Sequence, residues 1–321
     1  ALGRLHDIAE RICAIQRSLK PDISSRAVMV MAADHGIASE GVSAFPQEVT
    51  GEMIKAFLIG GAGINVLAAL VNAEIVVVDV GIVPELDPVA LNAGHRLRVH
   101  KAGNGTANIA RGPAMTEQQA LACVQTGYDV ASDLIQSGAR LLGTGDMGIG
   151  NTTASAAVGA VITGADLPSM VGRGTGIDDH RLKHKVEMIR TAIAVNRPDP
   201  ADGLDVLAKV GGFEIGGIAG CILAAAAHRV PVVVDGFIST AGALVAHALC
   251  PTSVEYMFAG HRSEESGHGP MLDYLGLQPV LDLGMRLGEG TGGALAMSIL
   301  EGAVRIFNRM HTFEEAGVSQ G

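Results

Sequence analysis

The sequence predicts an α/β fold, a mostly parallel sheet with helices on both faces. Short runs rich in β-branched residues alternate with longer alanine-rich segments, the order that builds such a domain. The runs are continuously apolar rather than alternating, which suits strands buried on both faces. In chain order, residues 5–18 read as a helix and Ala27-Val-Met-Val-Met-Ala-Ala-Asp34 as the first strand. Residues 50–70 are helical, Glu74-Ile-Val-Val-Val-Asp-Val-Gly81 is the second strand, and 117–137 are helical. A weaker strand, Ala139-Arg-Leu-Leu-Gly143, is followed by helices over 152–163 and 182–196. Val230-Pro-Val-Val-Val-Asp-Gly-Phe237 is a clear strand, 240–249 a helix and Val254-Glu-Tyr-Met-Phe258 a weaker strand. Residues 293–307 close the pattern as a helix with no strand after it. We therefore expect an α/β catalytic domain over 20–290 and a small helical subdomain built from the chain ends, 1–19 with 291–321.

Composition narrows the function. Of 321 residues 43 are glycine, 48% are hydrophobic, 17% are charged and 3% are aromatic. That hydrophobic fraction excludes a disordered chain, and the glycines have no three-residue period, so the chain is not collagenous. The core must be aliphatic. A net charge of −10 argues against nucleic acid as partner, which calls for a basic face. It leaves room for a small phosphate-bearing ligand held by glycine-loop amides and one lysine. The four cysteines, Cys13, Cys123, Cys221 and Cys250, have no C-x-x-C spacing and read as small apolar side chains in a reducing compartment. The eleven histidines show no zinc pattern; His180 and His184 are spaced i, i+4 but H-E-x-x-H is absent. No signal peptide is read at the N-terminus, and the apolar stretch 215–227 is too short for a membrane span of about 20 residues. A soluble, cytoplasmic protein is expected.

Open parallel sheets bind ligands beyond the carboxyl ends of their strands. Four acids fall there: Asp34, Asp79, Asp146 and Asp235. Any one of them could simply cap a helix or close an Asx-turn; four on one edge would make a ligand site. Two segments fit G-x-G-x-x-G, Gly143-Thr-Gly-Asp-Met-Gly148 and Gly288-Glu-Gly-Thr-Gly-Gly293. The first lies between strand and helix, as in a Rossmann-like dinucleotide site. The acid expected about 20 residues on, closing a second strand, is missing, since Asp166 follows a helical segment. A dinucleotide-dependent oxidoreductase is thus a weak alternative. Both copies set a carboxylate, Asp146 or Glu289, among glycines at the mouth of a helix, where a lifted pKa would make it a general base. A third run, Val171-Gly-Arg-Gly-Thr-Gly176, precedes a helix with Lys183 and Lys185, a combination able to cradle phosphate. Gly216-Gly217 reads as a place of close helix packing. P-loop and G-x-S-x-G motifs are absent.

The segments Ala32-Ala-Asp-His-Gly36, Asn104-Gly-Thr-Ala-Asn-Ile-Ala110 and Gly145-Asp-Met-Gly-Ile-Gly-Asn-Thr-Thr153, with Asp235-Gly-Phe237, Met285-Arg-Leu-Gly-Glu-Gly-Thr-Gly292 and Phe313-Glu-Glu-Ala-Gly317, carry a family likeness. In consistent order they resemble the nicotinate-nucleotide–dimethylbenzimidazole phosphoribosyltransferases over essentially the whole chain. The resemblance implies transfer of phosphoribose from nicotinate mononucleotide to 5,6-dimethylbenzimidazole, with inversion at the anomeric carbon and neither metal nor organic cofactor. The products are nicotinate and α-ribazole 5′-phosphate, a precursor of the cobalamin lower ligand. By matching position Glu289 is the general base, and Asp146, where the family also carries glutamate, a supporting carboxylate. Gly148, Gly174 and Lys185 match phosphate-holding positions. Asn151, Asp235 and Ser263 match the ribose and nicotinate side, while Phe45, Met53, Met147 and Leu287 match the slot for the incoming aromatic base. That slot's apolar character leaves adenine or a phenol open as alternative acceptors. The family further implies a homodimer. The chain opens Ala-Leu-Gly-Arg-Leu without an initiator methionine, inside what matches a family segment, so a preceding helix is expected.

Overall fold

Val28 and Met29, adjacent in one strand, belong to two different hydrophobic cores, one on each face of the sheet. Side chains alternate along a strand, so burying both faces demands the unbroken apolar runs seen in the sequence. The computed structural model describes residues 1–91 and 93–318. Its elements run α1 (Arg4–Gln16), β1 (Arg26–Ala33), α2 (Val49–Ile59), α3 (Gly63–Leu70), β2 (Ala73–Gly81), β3 (Leu97–Val99) and α4 (Glu117–Gln136). They continue through β4 (Leu141–Met147), α5 (Asn151–Thr163), α6 (Leu167–Met170), α7 (Asp179–Asn196), α8 (Gly203–Val210), α9 (Phe213–His228), β5 (Val232–Val234) and α10 (Phe237–Leu249). Last come β6 (Met257–Ala259), β7 (His261–Ser263), α11 (His268–Leu275), β8 (Leu281–Met285) and α12 (Thr291–Arg309).

The main sheet has six parallel strands in the order β3-β2-β1-β4-β5-β6. β7 and β8 pair parallel in a separate ribbon. One face carries α4, α5, α8, α9 and α10 over Met29, Met31, Val78, Leu142 and Val232. The other carries α1, α2, α3 and α12 over Val28, Val30, Val77, Leu141 and Val233. α1 and α12 lie against each other and share this second core with the sheet. Backbones come close where α4 meets α9: a Cβ on Gly220 would stand 1.9 Å from the Val124 carbonyl oxygen, and one on Gly216 2.2 Å from the Cys123 sulfur. Glycine among alanines thus replaces aromatic bulk by proximity. Cys123 and Cys221 are buried and all four cysteines are free thiols; burial pushes Cys221 up to about 12.

The single helix expected over 50–70 is two. Gly60, at φ 85°, ends α2 in the left-handed conformation that glycine adopts without strain, and α3 starts at Gly63. Taken whole, Val49–Leu70 has the length and apolarity of a membrane span, 22 residues with mean hydropathy 1.8. Split into helices of 11 and 8 residues, neither part reaches the roughly 20 that a span requires.

Candidate active site

β1 and β4 lie side by side at the centre of the sheet, yet the chain leaves β1 toward β2 and leaves β4 toward β5. Divergent connections open a crevice beyond the carboxyl ends of the two strands. There, Met147 ends β4, the turn Gly148-Ile-Gly150 crosses the end of β1, and α5 begins. Only glycine fits at 148, because a Cβ would sit 2.3 Å from the Ala33 carbonyl oxygen. His35 backs this turn, and its Nε2 stands 2.7 Å from Glu214 Oε1 in a buried pair. Above the turn is a cavity of about 360 Å³ whose wall includes Asp146, Gly148, Asn151, Gly174, Ser263 and Glu289.

Its lining combines two chemistries. Phe45, Met53, Met147 and Leu287 form an apolar slot, open to solvent where Phe45 is 53% and Leu287 61% exposed. Such a slot suits a flat aromatic ring. Thr152, Gly174, Thr175, Ser263 and Arg286 bring hydroxyls, amides and a guanidinium to the same wall, with Arg286 donating to the Gly174 carbonyl at 2.9 Å. α5 begins beside this wall, its Asn151 and Thr153 amides donating to the Gly148 and Gly150 carbonyls at 3.1 and 2.9 Å, and a helix N-terminus favours an anion. Lys185 stands just behind this wall with no exposed surface, donating to Thr152 Oγ1 at 2.8 Å and the Gly172 carbonyl at 3.3 Å. The apolar and polar residues adjoin where Thr175 Oγ1 accepts the Ala44 amide at 2.9 Å, next to Phe45.

Glu289 also lines the cavity. Its backbone is left-handed at φ 63°, flanked by Gly288 at 76° and Gly290 at 95°, a strained state for a side chain as long as glutamate's. The carboxylate is held in place, Oε2 accepting the Ile64 amide at the start of α3 at 3.1 Å. Burial raises its pKa, the Ile64 and Gly63 amides oppose the rise, and Asp235 adds to it. Asp146 is raised well above the carboxylate range, first by burial and then by Asp235, Glu214 and Glu289; only the amide of Asn151, donating to Oδ2 at 3.0 Å, opposes. Of the two acids Asp146 is the more strongly biased toward its neutral form, having like charges around it and one opposing amide, whereas two amides oppose the rise at Glu289.

The four strand-end acids separate. Asp146 alone among them lines this cavity. Asp34 Oδ2 accepts the Val83 amide at 2.7 Å, and Asp79 Oδ1 those of Gly81 and Ile82 at 3.0 and 2.9 Å. Both are loop fasteners. Asp235 is fully buried beneath the site, its oxygens taken by Gly290 and Gly293 amides at 3.2 and 2.7 Å. It shapes the turn that carries Glu289 and is not part of the cavity wall. Thr152, Thr175, Glu265 and Arg286, and the Ile64 amide, were not foreseen from sequence; the break at Gly60-Gly61 was the one available signal for the last. The dinucleotide alternative loses its footing, because Gly143 and Gly145 lie within β4 rather than in a turn and Asp166 directly precedes α6 rather than closing a strand. His184 is turned to the Glu40 carbonyl at 2.8 Å. Among the described residues no group of three His, Cys, Asp or Glu side chains is placed to hold a metal ion.

Comparison with known proteins gives one family. A phosphoribosyltransferase family model matches residues 1–318. A protein of Geobacter sulfurreducens named nicotinate-nucleotide–dimethylbenzimidazole phosphoribosyltransferase is 54% identical over 321 residues, 100% of this chain and 90% of that one. A Chloroflexus aggregans protein of the same name is 52% identical over 320 residues, 100% of this chain and 89% of that one. A crystal structure of the Thermus thermophilus protein of that name superposes with a TM-score of 0.93 at 46% identity, covering 100% of this chain and 94% of the other.

Proposed function

The chain belongs to the nicotinate-nucleotide–dimethylbenzimidazole phosphoribosyltransferase family, and from that membership we propose how this transferase works. Phosphoribose passes from nicotinate mononucleotide to 5,6-dimethylbenzimidazole, with Glu289 as general base. The products are nicotinate and α-ribazole 5′-phosphate. The nucleotide phosphate sits against the polar lining, between the first turn of α5, Gly174 and Lys185, and the ribose reaches over Asn151 and Asp146 toward Ser263. The incoming base fills the slot of Phe45, Met53, Met147 and Leu287. Its ring nitrogen attacks C1′, the bond from C1′ to the pyridinium nitrogen breaks with its electron pair going to nicotinate, and the ring proton passes to Glu289. The pyridinium is already an activated leaving group. The protein therefore has to align two rings about one carbon and remove one proton.

One observation carries the assignment of the base: Glu289, strained at φ 63°, is held on the wall of the cavity with one oxygen bonded to Ile64. The slot's side chains support a second reading of the acceptor. None of Phe45, Met53, Met147 and Leu287 donates or accepts a strong hydrogen bond, so shape selects the ring, and adenine or a phenol attacking through oxygen stands as the alternative. Incubation of the enzyme with nicotinate mononucleotide and each of the three acceptors, with products identified by mass, tests both. The α-ribazole 5′-phosphate mass is expected, and no transfer to any acceptor would sink the proposal. A homodimer belongs to the same proposal, supported by the exposed Ile59, Val66 and Leu70 on α2 and α3; a monomeric sedimentation profile would remove it.

A further inference from the structure

Lys185 poses an electrostatic problem. Its ammonium has no exposed surface, and among the described residues no carboxylate lies within ion-pair distance of it. A buried cation without a nearby counter-charge tends to lose its proton. Across Gly172 stands Glu265, itself buried, with Oε2 free of any hydrogen-bond partner. Oε2 packs so tightly on Gly172 that a Cβ there would lie 1.9 Å away, and the carbonyl of this same glycine accepts from Lys185. Glu265 also lines the cavity beside Ser263.

We propose that Glu265 is a positioning residue for nucleotide capture: its carboxylate, seated on Gly172, keeps the Lys185 ammonium charged so that Lys185 meets the phosphate as a cation. This rests on the reading of Lys185 as a phosphate-binding residue. The other charged groups around Lys185 are engaged elsewhere or do not act on it. Arg173 pairs with Asp179, and Asp178 caps α7 on the Arg181 amide. On its own helix Glu187 pairs with Arg190, and His184 bonds the Glu40 carbonyl. On α8, Asp205 pairs with Lys209. Near Glu265, Arg262 pairs with Asp282 and His268 bonds Thr240 and the Ser263 amide. α5 presents only Thr152. Burial pulls Lys185 down to about 8, and Glu265 is the one charge that acts against the pull.

A lysine is charged below its pKa, so nucleotide capture is full in mildly acidic solution and fades as pH rises through about 8. Without Glu265 the fade starts lower. The test is kcat/KM for nicotinate mononucleotide from pH 6 to 9, at saturating dimethylbenzimidazole, in wild type, Glu265→Gln, Lys185→Arg and the double variant. Glu265→Gln is expected to stay within about twofold of wild type at pH 6 and to fall about fivefold at pH 8, mostly in KM. Glu265→Asp, which draws the carboxylate back, shifts the same limb less. With arginine at 185, which does not deprotonate, Glu265→Gln adds no pH-dependent loss. A loss independent of pH and equal in both backgrounds overturns the proposal. If Lys185→Ala leaves the nucleotide KM unchanged, it is the phosphate assignment that fails.

Discussion

The two G-x-G-x-x-G segments share a spelling and little else. In Gly143–Gly148 the first two glycines sit inside β4, in extended backbone that any residue could adopt. They are glycine because something lies on them. A Cβ on Gly145 would stand 2.4 Å from the Glu289 carbonyl oxygen. In Gly288–Gly293 the need is conformational, since 288, 289 and 290 are all left-handed. One segment supplies a floor and the other a strained turn resting on it. Each brings one acid, and the surroundings divide the labour: Asp146 is buried among like charges with a single amide partner, whereas Glu289 is held by helix N-terminal amides. A shared motif therefore says nothing of a shared role until the neighbours of each residue are known.

The contrast can be broken most directly at the second turn. Glu289→Gln is expected to lower turnover by about 10² or more while nucleotide binding, followed by titration, survives; near-normal turnover would hand the proton to Asp146 and erase the distinction. Next in size is the contact between the turns. Gly145→Ala is expected to destabilise by about 1–3 kcal/mol and to cut kcat, because the new methyl meets backbone. Gly143→Ala meets the flexible end of Met297 at 2.6 Å and Val28 at 3.2 Å, so thermal unfolding should move less and kcat hardly at all. Equal effects in the two variants would argue against a floor-and-turn arrangement. The smallest effect is expected at Asp146. If its carboxyl is already neutral, Asp146→Asn costs turnover no more than about tenfold. It also leaves the acid limb of the kcat/KM profile where it was. With Glu289 as the proposed base, active when deprotonated, that limb is expected to report it, the raised pKa bringing the fall in rate at a higher pH than an ordinary glutamate would. A shift of the limb on removing the Asp146 carboxylate would show that it bears charge.

The central strands were legible because burial on both faces leaves a plain mark, an unbroken apolar run. β3, β7 and β8 were not, being short and, in β8, largely exposed. The strand expected over 254–258 begins only at Met257, its first half being taken by a 3-10 turn from Pro251 to Tyr256. Helix α9 hid behind its glycines, which suit a close crossing with α4 and weaken the helical pattern. At the site, residues grouped by local motif stayed together: Asp146, Met147, Gly148 and Asn151 all line the cavity. Asp235 did not join them because its partners, the amides of Gly290 and Gly293, lie 55 and 58 residues away in sequence. The clamp of Ile64 on Glu289 spans 225 residues, and no local spacing encodes it.

The clamp also limits how the cavity can be reshaped. α2, which carries Met53 on the cavity wall, leads through Gly60 directly into α3, whose Ile64 amide holds the Glu289 carboxylate. Moving that corner to widen the cavity would drag the carboxylate with it. Swapping side chains at 45, 53 and 147 on an unmoved backbone changes the shape of the wall and leaves Glu289 where it is. A single rigid corner thus separates the outline of the cavity from the seat of the acid beside it.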